Sequence, residues 1–350
     1  MTQVFFGGPD RPPGFLRDLL ARFVDAVPQG GEILWTTYYF RDLALAEALI
    51  RARQRGVTVK LCLEAAPKLT SANQAVQARL TAPDGLGDGF KPIKHLLPAH
   101  LHEKIYYFSH PQPVVLVGSF NPSGNTPEDP EVVRRIGDQD RGHNCLVAVD
   151  DPEAVASLKK HMLALHAGRQ GLATYFDRSA RSDFTGGPLS LFHYPRWDWD
   201  VVDRLVSERK YDRIRIAASH FRDRSIARLL GRQVKDGASV TVIAHDTLRR
   251  VPRRIEALAR AQGLDFIRYA HPQGLPMHCK FILLEAAGIR RVLFGSMNLT
   301  LTSRYLNNEL LVALDDAPEI FAAFEARFAH MLAETRQFRT VPEGHDGHPS

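Results

Sequence analysis

Cysteine is scarce in this chain: 3 of 350 residues, Cys62, Cys145 and Cys279. No two form a C-x-x-C pair, which leaves out a zinc knuckle, and three thiols do not make a disulfide framework. A reducing compartment follows as the simplest expectation. No stretch approaches the roughly 20 apolar residues that a membrane-crossing helix needs. Met1 to Gly14 has no positive segment followed by an apolar run, so no signal peptide is expected. These absences together predict a cytoplasmic protein. An excess of one charge sign is nearly missing too. Lys and Arg number 45 against 39 Asp and Glu, a net charge of +6. That mild surplus favours anionic partners, nucleic acid or acidic lipid, without requiring one. Its one local cluster is Arg249, Arg250, Arg253 and Arg254. A metal-ligand set is also lacking: His95, His100 and His102 gather, but no Asp or Cys completes them. No metal is expected.

What is present is a motif written twice. His102-Glu103-Lys104 is followed by Gly118-Ser119-Phe120-Asn121, and His278-Cys279-Lys280 by Gly295-Ser296-Met297-Asn298. The duplication reaches beyond the motifs. Glu32 to Asp42 resembles Arg213 to Asp223, each an apolar strand ending in Phe-Arg-Asp. Asp42 and Asp223 stand where helix N-caps belong, ahead of helical patterns over Leu43 to Arg55 and Arg224 to Lys235. Gly56 and Gly237 end those helices, and strands follow over Val57 to Leu63 and Ser239 to Ala244. Strand, helix, strand with short connections is a βαβ unit, which predicts a largely parallel sheet. Further strands are predicted over Lys104 to Phe108, Val114 to Val117 and Leu146 to Val149, matching Lys280 to Leu284, Arg291 to Phe294 and Leu310 to Leu314. Each copy ends on a helix, Pro152 to His166 and Pro318 to Thr335.

The chain therefore divides into an N-terminal half, residues 1–167, a connecting segment, 168–200, a C-terminal half, 201–340, and a tail, 341–350, expected to be disordered. The connection carries Gly186-Gly187-Pro188 and the aromatics Phe192, Tyr194, Trp197 and Trp199, expected to pack at the junction of the halves. Pro122 to Arg141 has no counterpart in the second half and reads as a surface loop or a lid beside the first G-S-x-N. Phe15 to Val27 is amphipathic, expected to pack on the core rather than lie on a membrane.

Two half-sites of this composition suit a phosphodiester. Neutral imidazole can attack phosphorus, and imidazolium can protonate the leaving oxygen. Negative oxygens need cations and preorganised donors. Lys104 and Lys280 would supply the charge; Ser119, Asn121, Ser296 and Asn298 would supply hydroxyl and amide donors. On a strand, residues i and i+2 share a face, so each His and its Lys point together while Glu103 and Cys279 point away. Cys279 then reads as a small buried side chain rather than a nucleophile.

The paired H-x-K and G-S-x-N motifs resemble the phospholipase D superfamily, over about residues 30 to 335. The resemblance implies a duplicated α/β fold: two pseudo-symmetric α/β/α halves with mixed, largely parallel sheets and one active site at their junction. It also implies a covalent phosphohistidine resolved by water or another alcohol, with no cofactor. The superfamily's H-x-K-x4-D pattern is incomplete here, since Ser109 and Glu285 replace the two aspartates. That aspartate is usually structural, so activity is still expected. After each G-S-x-N the halves differ again, with Asn144 in the first and Glu309 in the second. A carboxylate beside imidazole stabilises the cation, while an amide fixes a tautomer without doing so to the same degree. Pairing each with the histidine of its own half makes His102, beside Asn144, the nucleophile and His278, beside Glu309, the general acid. His278 as nucleophile is the alternative.

Substrate choice lies in loops. Tyr38, Tyr39, Phe40 and Arg41 after the first strand, and His220, Phe221 and Arg222 at the matching place, are candidate substrate contacts by stacking and phosphate binding. Nucleic acid is the favoured substrate, making the protein a metal-independent, nuclease-like phosphodiesterase. The first alternative is a phospholipase D or phosphatidyltransferase, cardiolipin synthase-like, acting on phospholipid. The second is a catalytically degenerate module that binds nucleic acid or lipid.

Overall fold

The computed structural model describes residues 3–95, 99–124, 130–168, 183–197 and 201–340. The internal symmetry of the sequence becomes two sheets of closely matching order. The first runs β1-β7-β6-β5-β2-β3-β4, with β1 Gln3–Gly7, β2 Glu32–Thr37, β3 Thr58–Glu64, β4 Phe90–Ile93, β5 Ile105–Phe108, β6 Val114–Gly118 and β7 Asn144–Val149. The second runs β8-β9-β15-β14-β13-β10-β11-β12. Its strands are β8 Phe184–Gly186, β9 Leu189–Tyr194, β10 Arg213–Ala218, β11 Ser239–His245, β12 Asp265–Tyr269, β13 Lys280–Ala286, β14 Ile289–Gly295 and β15 Glu309–Asp315. The run β7-β6-β5-β2-β3-β4 corresponds in order to β15-β14-β13-β10-β11-β12.

The sheets are mixed, but they are not largely parallel as the sequence suggested. Parallel pairing is confined to β2-β3-β4 and β10-β11-β12. Every other pairing is antiparallel, including β5 with β6 and β13 with β14. Connection length accounts for part of this: helices cross over between the parallel neighbours β2 and β3 and β10 and β11, whereas β5 returns to β6, and β13 to β14, through links too short for anything but antiparallel pairing. The crossover helices are α2 Leu43–Gln54 and α3 Ser71–Thr81 in the first half. Asp42 caps α2 by accepting from the Leu45 amide at 2.9 Å, and Asp223 caps the matching helix, Arg224–Lys235, by accepting from Ser225 at 2.8 Å. Each such cap is worth about 1 kcal/mol. Gly56 and Gly237 follow those helices at φ 86° and 104°, the left-handed conformation that ends a helix.

Three apolar cores hold the fold. The helix Phe15–Ala26 buries Leu16, Leu19, Leu20 and Val24 on the outer face of the first sheet, and Phe23 stacks on Phe108. It is a core helix, as expected. A second core lies under the outer helices of the second half. The third is shared: Val117 and Val147 of the first sheet and Phe281 and Phe294 of the second enclose the closing helices Pro152–His166 and Pro318–Thr340. The halves are thus joined through apolar side chains rather than merely tethered.

Residues 184–194, read from sequence as connection, form a hairpin on the edge of the second sheet, turning at Gly187. Phe192 and Tyr194 are buried there, but Trp197 is 59% exposed, against the expectation for it. Trp199, most of the connection and the 341–350 tail lie outside the described residues. Among the described residues, no helix is long and apolar enough to cross a membrane.

Candidate active site

Both motifs enter the site in the same way. Leu101 bridges Asn308 and Met277 bridges His143, each in parallel register. The amides of His102 and His278 donate to the carbonyls of Asn308 and His143, both at 2.9 Å. Each H-x-K therefore approaches the last strand of the opposite half. That geometry overturns the pairing drawn from sequence. His102 Nδ1 lies 2.8 Å from Glu309 Oε2, and His278 Nδ1 lies 2.9 Å from Asn144 Oδ1. The partners are crossed, not kept within a half.

The serines also differ from expectation. Ser296 Oγ donates to Glu309 Oε2 at 2.6 Å and accepts from the Leu310 amide at 3.1 Å. Ser119 Oγ donates to Asn144 Oδ1 at 3.1 Å and accepts from the Cys145 amide at 3.0 Å. Both hydroxyls are spent on the groups that orient the imidazoles, so they are not donors aimed at a substrate. The motif glycines make this approach possible. A Cβ on Gly118 would sit 2.2 Å from the Cys145 carbonyl oxygen, and one on Gly295 2.2 Å from that of Leu310. Any side chain there would push the serine off its partner.

The tautomers follow. Asn144 Nδ2 donates to the Gln139 carbonyl at 2.8 Å, which turns Oδ1 toward His278. Nδ1 of each histidine is therefore the donor, and Nε2 carries the lone pair. Asn121 is held as well: its amide donates to Gln139 Oε1 at 2.8 Å, and its oxygen accepts from the Tyr39 amide at 3.2 Å. Asn298 differs, since its buried Oδ1 has no hydrogen-bond partner among the described residues. Lys104 and Lys280 are buried and donate to the carbonyls of His102 and His278 respectively.

Burial dominates the electrostatics. It lowers His102 and His278 well below the usual imidazole range, reinforced by the neighbouring lysines. It also brings Lys104 down to about 7 and pushes Glu309 up to about 7, with the attraction between the two opposing both shifts. Lys280 falls well below its ordinary value through burial and the nearness of Lys104.

His102 and His278 open on one cleft of about 850 Å³. Lys68, Arg135, Arg222, Arg249, Arg250 and Arg254 line it, and among the described residues no carboxylate does. Tyr38, Tyr39 and His220 line it too, with the Tyr38 ring 5.0 Å from the His102 ring. Of the substrate contacts expected from sequence, Tyr38, Tyr39, His220 and Arg222 reach this cleft; Arg41 does not line it. Phe40 and Phe221 are core residues instead: Phe40 packs on Trp35, and Phe221 stacks on Phe266. Sequence reasoning missed Lys68 and Gln139. Gln139 belongs to the unmatched segment after Pro122, whose described residues, including the helix Pro130–Ile136, wall one side of the cleft. Arg250 is buried and ties the halves by donating to the Ile136 carbonyl at 2.9 Å.

Glu103 and Cys279 point away from the cleft, as the i, i+2 rule predicts. Cys279 is buried in the shared core. Glu103 meets His161 and His193, the one group of three metal-ligating side chains found together among the described residues. Ser109 and Glu285, at the positions of the superfamily aspartates, are tied into their own sheets. Ser109 Oγ accepts from the Glu32 amide at 2.7 Å, and Glu285 pairs with Arg215 at 3.1 Å.

Two sheets repeated about one cleft, lined by His102 and His278 with Lys104 and Lys280 buried next to them, make a duplicated candidate site. A family described as "Cardiolipin synthase, PLD-like domain" matches residues 29–165 and 204–332. The chain belongs to the phospholipase D superfamily and is an enzyme of its phosphodiesterase and phosphatidyltransferase kind. Among solved structures it is similar to phosphatidylserine synthase from Haemophilus influenzae, at 14% identity and a TM-score of 0.65, over 95% of this chain and 86% of that one. It is similar to polyphosphate kinase from Porphyromonas gingivalis, at 14% identity and a TM-score of 0.63, over 95% of this chain; it spans 50% of the kinase's length. A phospholipase D family member, Nuc, from Salmonella typhimurium aligns with 47% of this chain and 93% of its own, at 20% identity and a TM-score of 0.34. No curated protein matches the sequence.

Proposed function

We propose that the protein is a metal-independent phosphodiesterase that works through a phosphohistidine on His102 and acts on single-stranded nucleic acid. The chemistry rests on the crossed partners. Attack by His102 Nε2 on phosphorus forms an N–P bond and leaves the ring positively charged. Glu309, 2.8 Å from Nδ1, offsets that charge. As the P–O bond breaks, His278, which takes up a proton on Nε2 when the anionic diester binds beside it, gives that proton to the leaving oxygen. Its amide partner orients the ring without a stabilising charge, which leaves the imidazolium the stronger acid. Neutral His278 then takes a proton from water, whose oxygen displaces His102 and frees the phosphomonoester. His102 remains the nucleophile, as the sequence suggested, but for the opposite reason.

The observation that carries the substrate class is the wall of six cations, with no carboxylate on it among the described residues. One diester needs one or two counter-charges; a wall of this extent suits a row of phosphates. Large exposed apolar side chains among the described residues are few, Trp197, Leu248 and Leu301, which gives a bilayer little to grip. A second reading is phosphatidyl transfer, favoured by the description of the matching family and by the fold shared with a phosphatidylserine synthase.

Parallel assays with EDTA on single-stranded DNA, RNA and phosphatidylglycerol vesicles separate these readings. Cleavage of an oligonucleotide is expected. Replacing Arg249 and Arg254 together with alanine should raise KM for it and flatten the salt dependence by about 0.7 per lost phosphate contact. Turnover of lipid alone, or transfer of a phosphatidyl group to glycerol, would establish the second reading. Binding without turnover of any diester would indicate a degenerate module.

A further inference from the structure

Glu103, His161 and His193 come from three separate parts of the chain: the middle of the first H-x-K, the closing helix of the first half and the strand β9. They meet on the far side of the motif from the cleft, and all three are more than nine-tenths buried. His161 Nε2 lies 3.0 and 2.9 Å from the two Glu103 oxygens, and His193 Nδ1 lies 3.8 Å from Glu103 Oε1. The two imidazole rings face each other at 3.9 Å. Neither ring nitrogen of His193 has a hydrogen-bond partner among the described residues, although the ring is 2% exposed. A buried polar side chain left this way is uncommon and asks for a missing partner.

We infer that Glu103, His161 and His193 form a structural binding site for a divalent transition-metal ion, zinc by preference. The donor set of two imidazoles and one carboxylate is zinc-like rather than calcium- or magnesium-like. Zinc bonds of about 2.0–2.2 Å place tetrahedral ligand atoms roughly 3.4 Å apart. The observed separations of 2.9, 3.0 and 3.8 Å bracket that spacing. With both Glu103 oxygens directed at His161, a bidentate carboxylate and two ring nitrogens make four donor atoms, a closed site. The ion would clamp β9 and the closing helix of the first half to the backbone between His102 and Lys104. It would take no part in the diester chemistry, which runs on the other face.

The test uses the full chain without an affinity tag, stripped with EDTA and titrated with zinc. One equivalent should bind, and saturating zinc should raise Tm by about 4 °C or more. His193→Ala and His161→Asn should lose that equivalent. The double variant His345→Ala and His348→Ala, in the tail, should keep it. Failure of the stripped wild type to take up zinc, or uptake unchanged in both ligand variants, would overturn the inference. Should the ligand variants not fold, the cobalt(II) form of the wild type decides: a tetrahedral, imidazole-ligated spectrum supports the site, and an octahedral, solvated one refutes it. Because these readouts are metal content, Tm and spectrum, they stand or fall separately from the proposed activity.

Discussion

His102→Ala should abolish turnover of every diester, by at least about 10⁴-fold, whereas His278→Ala should discriminate between leaving groups. On an oligonucleotide the departing oxygen is a poor leaving group and needs a proton. There, loss of His278 should cost roughly 10²–10⁴-fold. On bis-p-nitrophenyl phosphate the phenolate departs unaided, so the first step in His278→Ala should run within about tenfold of wild type. The second step lacks its base. The expected trace is a burst of one p-nitrophenolate per active site followed by a stall, recorded by stopped-flow absorbance. The assignment depends on the crossed geometry. Both imidazoles are buried and held neutral, so neither is picked out by its resting protonation. They differ in what stands behind Nδ1: a carboxylate for His102 and an amide for His278.

The second large effect concerns that carboxylate. Glu309→Gln keeps the size and the hydrogen bond from Ser296 but removes the charge facing the phosphorylated ring. The expected loss is roughly 10²–10⁴-fold in kcat with little change in KM, because the charge is needed only once the N–P bond forms. The mirror substitution, Asn144→Asp, should act through pH instead. A carboxylate beside His278 favours the imidazolium and raises its pKa, so the proton donor persists to higher pH. The alkaline limb of kcat/KM should then move upward by about one unit or more, equivalent to roughly 1.4 kcal/mol. Had Glu309 served the acid and Asn144 the nucleophile, the two substitutions would exchange their signatures. A pH–rate series on both variants, with folding checked by circular dichroism, reads this out.

Asp42 and Asp223 as caps, and Gly56 and Gly237 as stops, are local signals and stand where expected. So does the shared face of His and Lys in each motif, because strand alternation is local too. The sheet pairing was misjudged because βαβ units dominate the part of each half before its motif and hairpins the part from the motif onward. Partner choice at the site was misjudged for a different reason. Glu309 is 207 residues from His102, and Asn144 is 134 from His278. Their meeting depends on the Leu101–Asn308 and Met277–His143 bridges, which form only when the halves dock. Nothing periodic in the sequence encodes that. Phe40 and Phe221 look like stacking platforms by composition, yet the strand ends turn both into the cores. Gln139 lay in a segment without a counterpart, so the internal comparison that exposed the other site residues could not reach it.

The covalent intermediate tests the central claim most directly. His278→Ala, mixed with bis-p-nitrophenyl phosphate and quenched during the stall, should carry one p-nitrophenyl phosphoryl group per chain. Peptide mapping by mass spectrometry under alkaline conditions, which preserve phosphohistidine, should place that group on His102. The same experiment with His102→Ala should yield no adduct. An adduct on His278 in the His102→Ala protein, or turnover in wild type with no histidine adduct in either variant, would contradict the account.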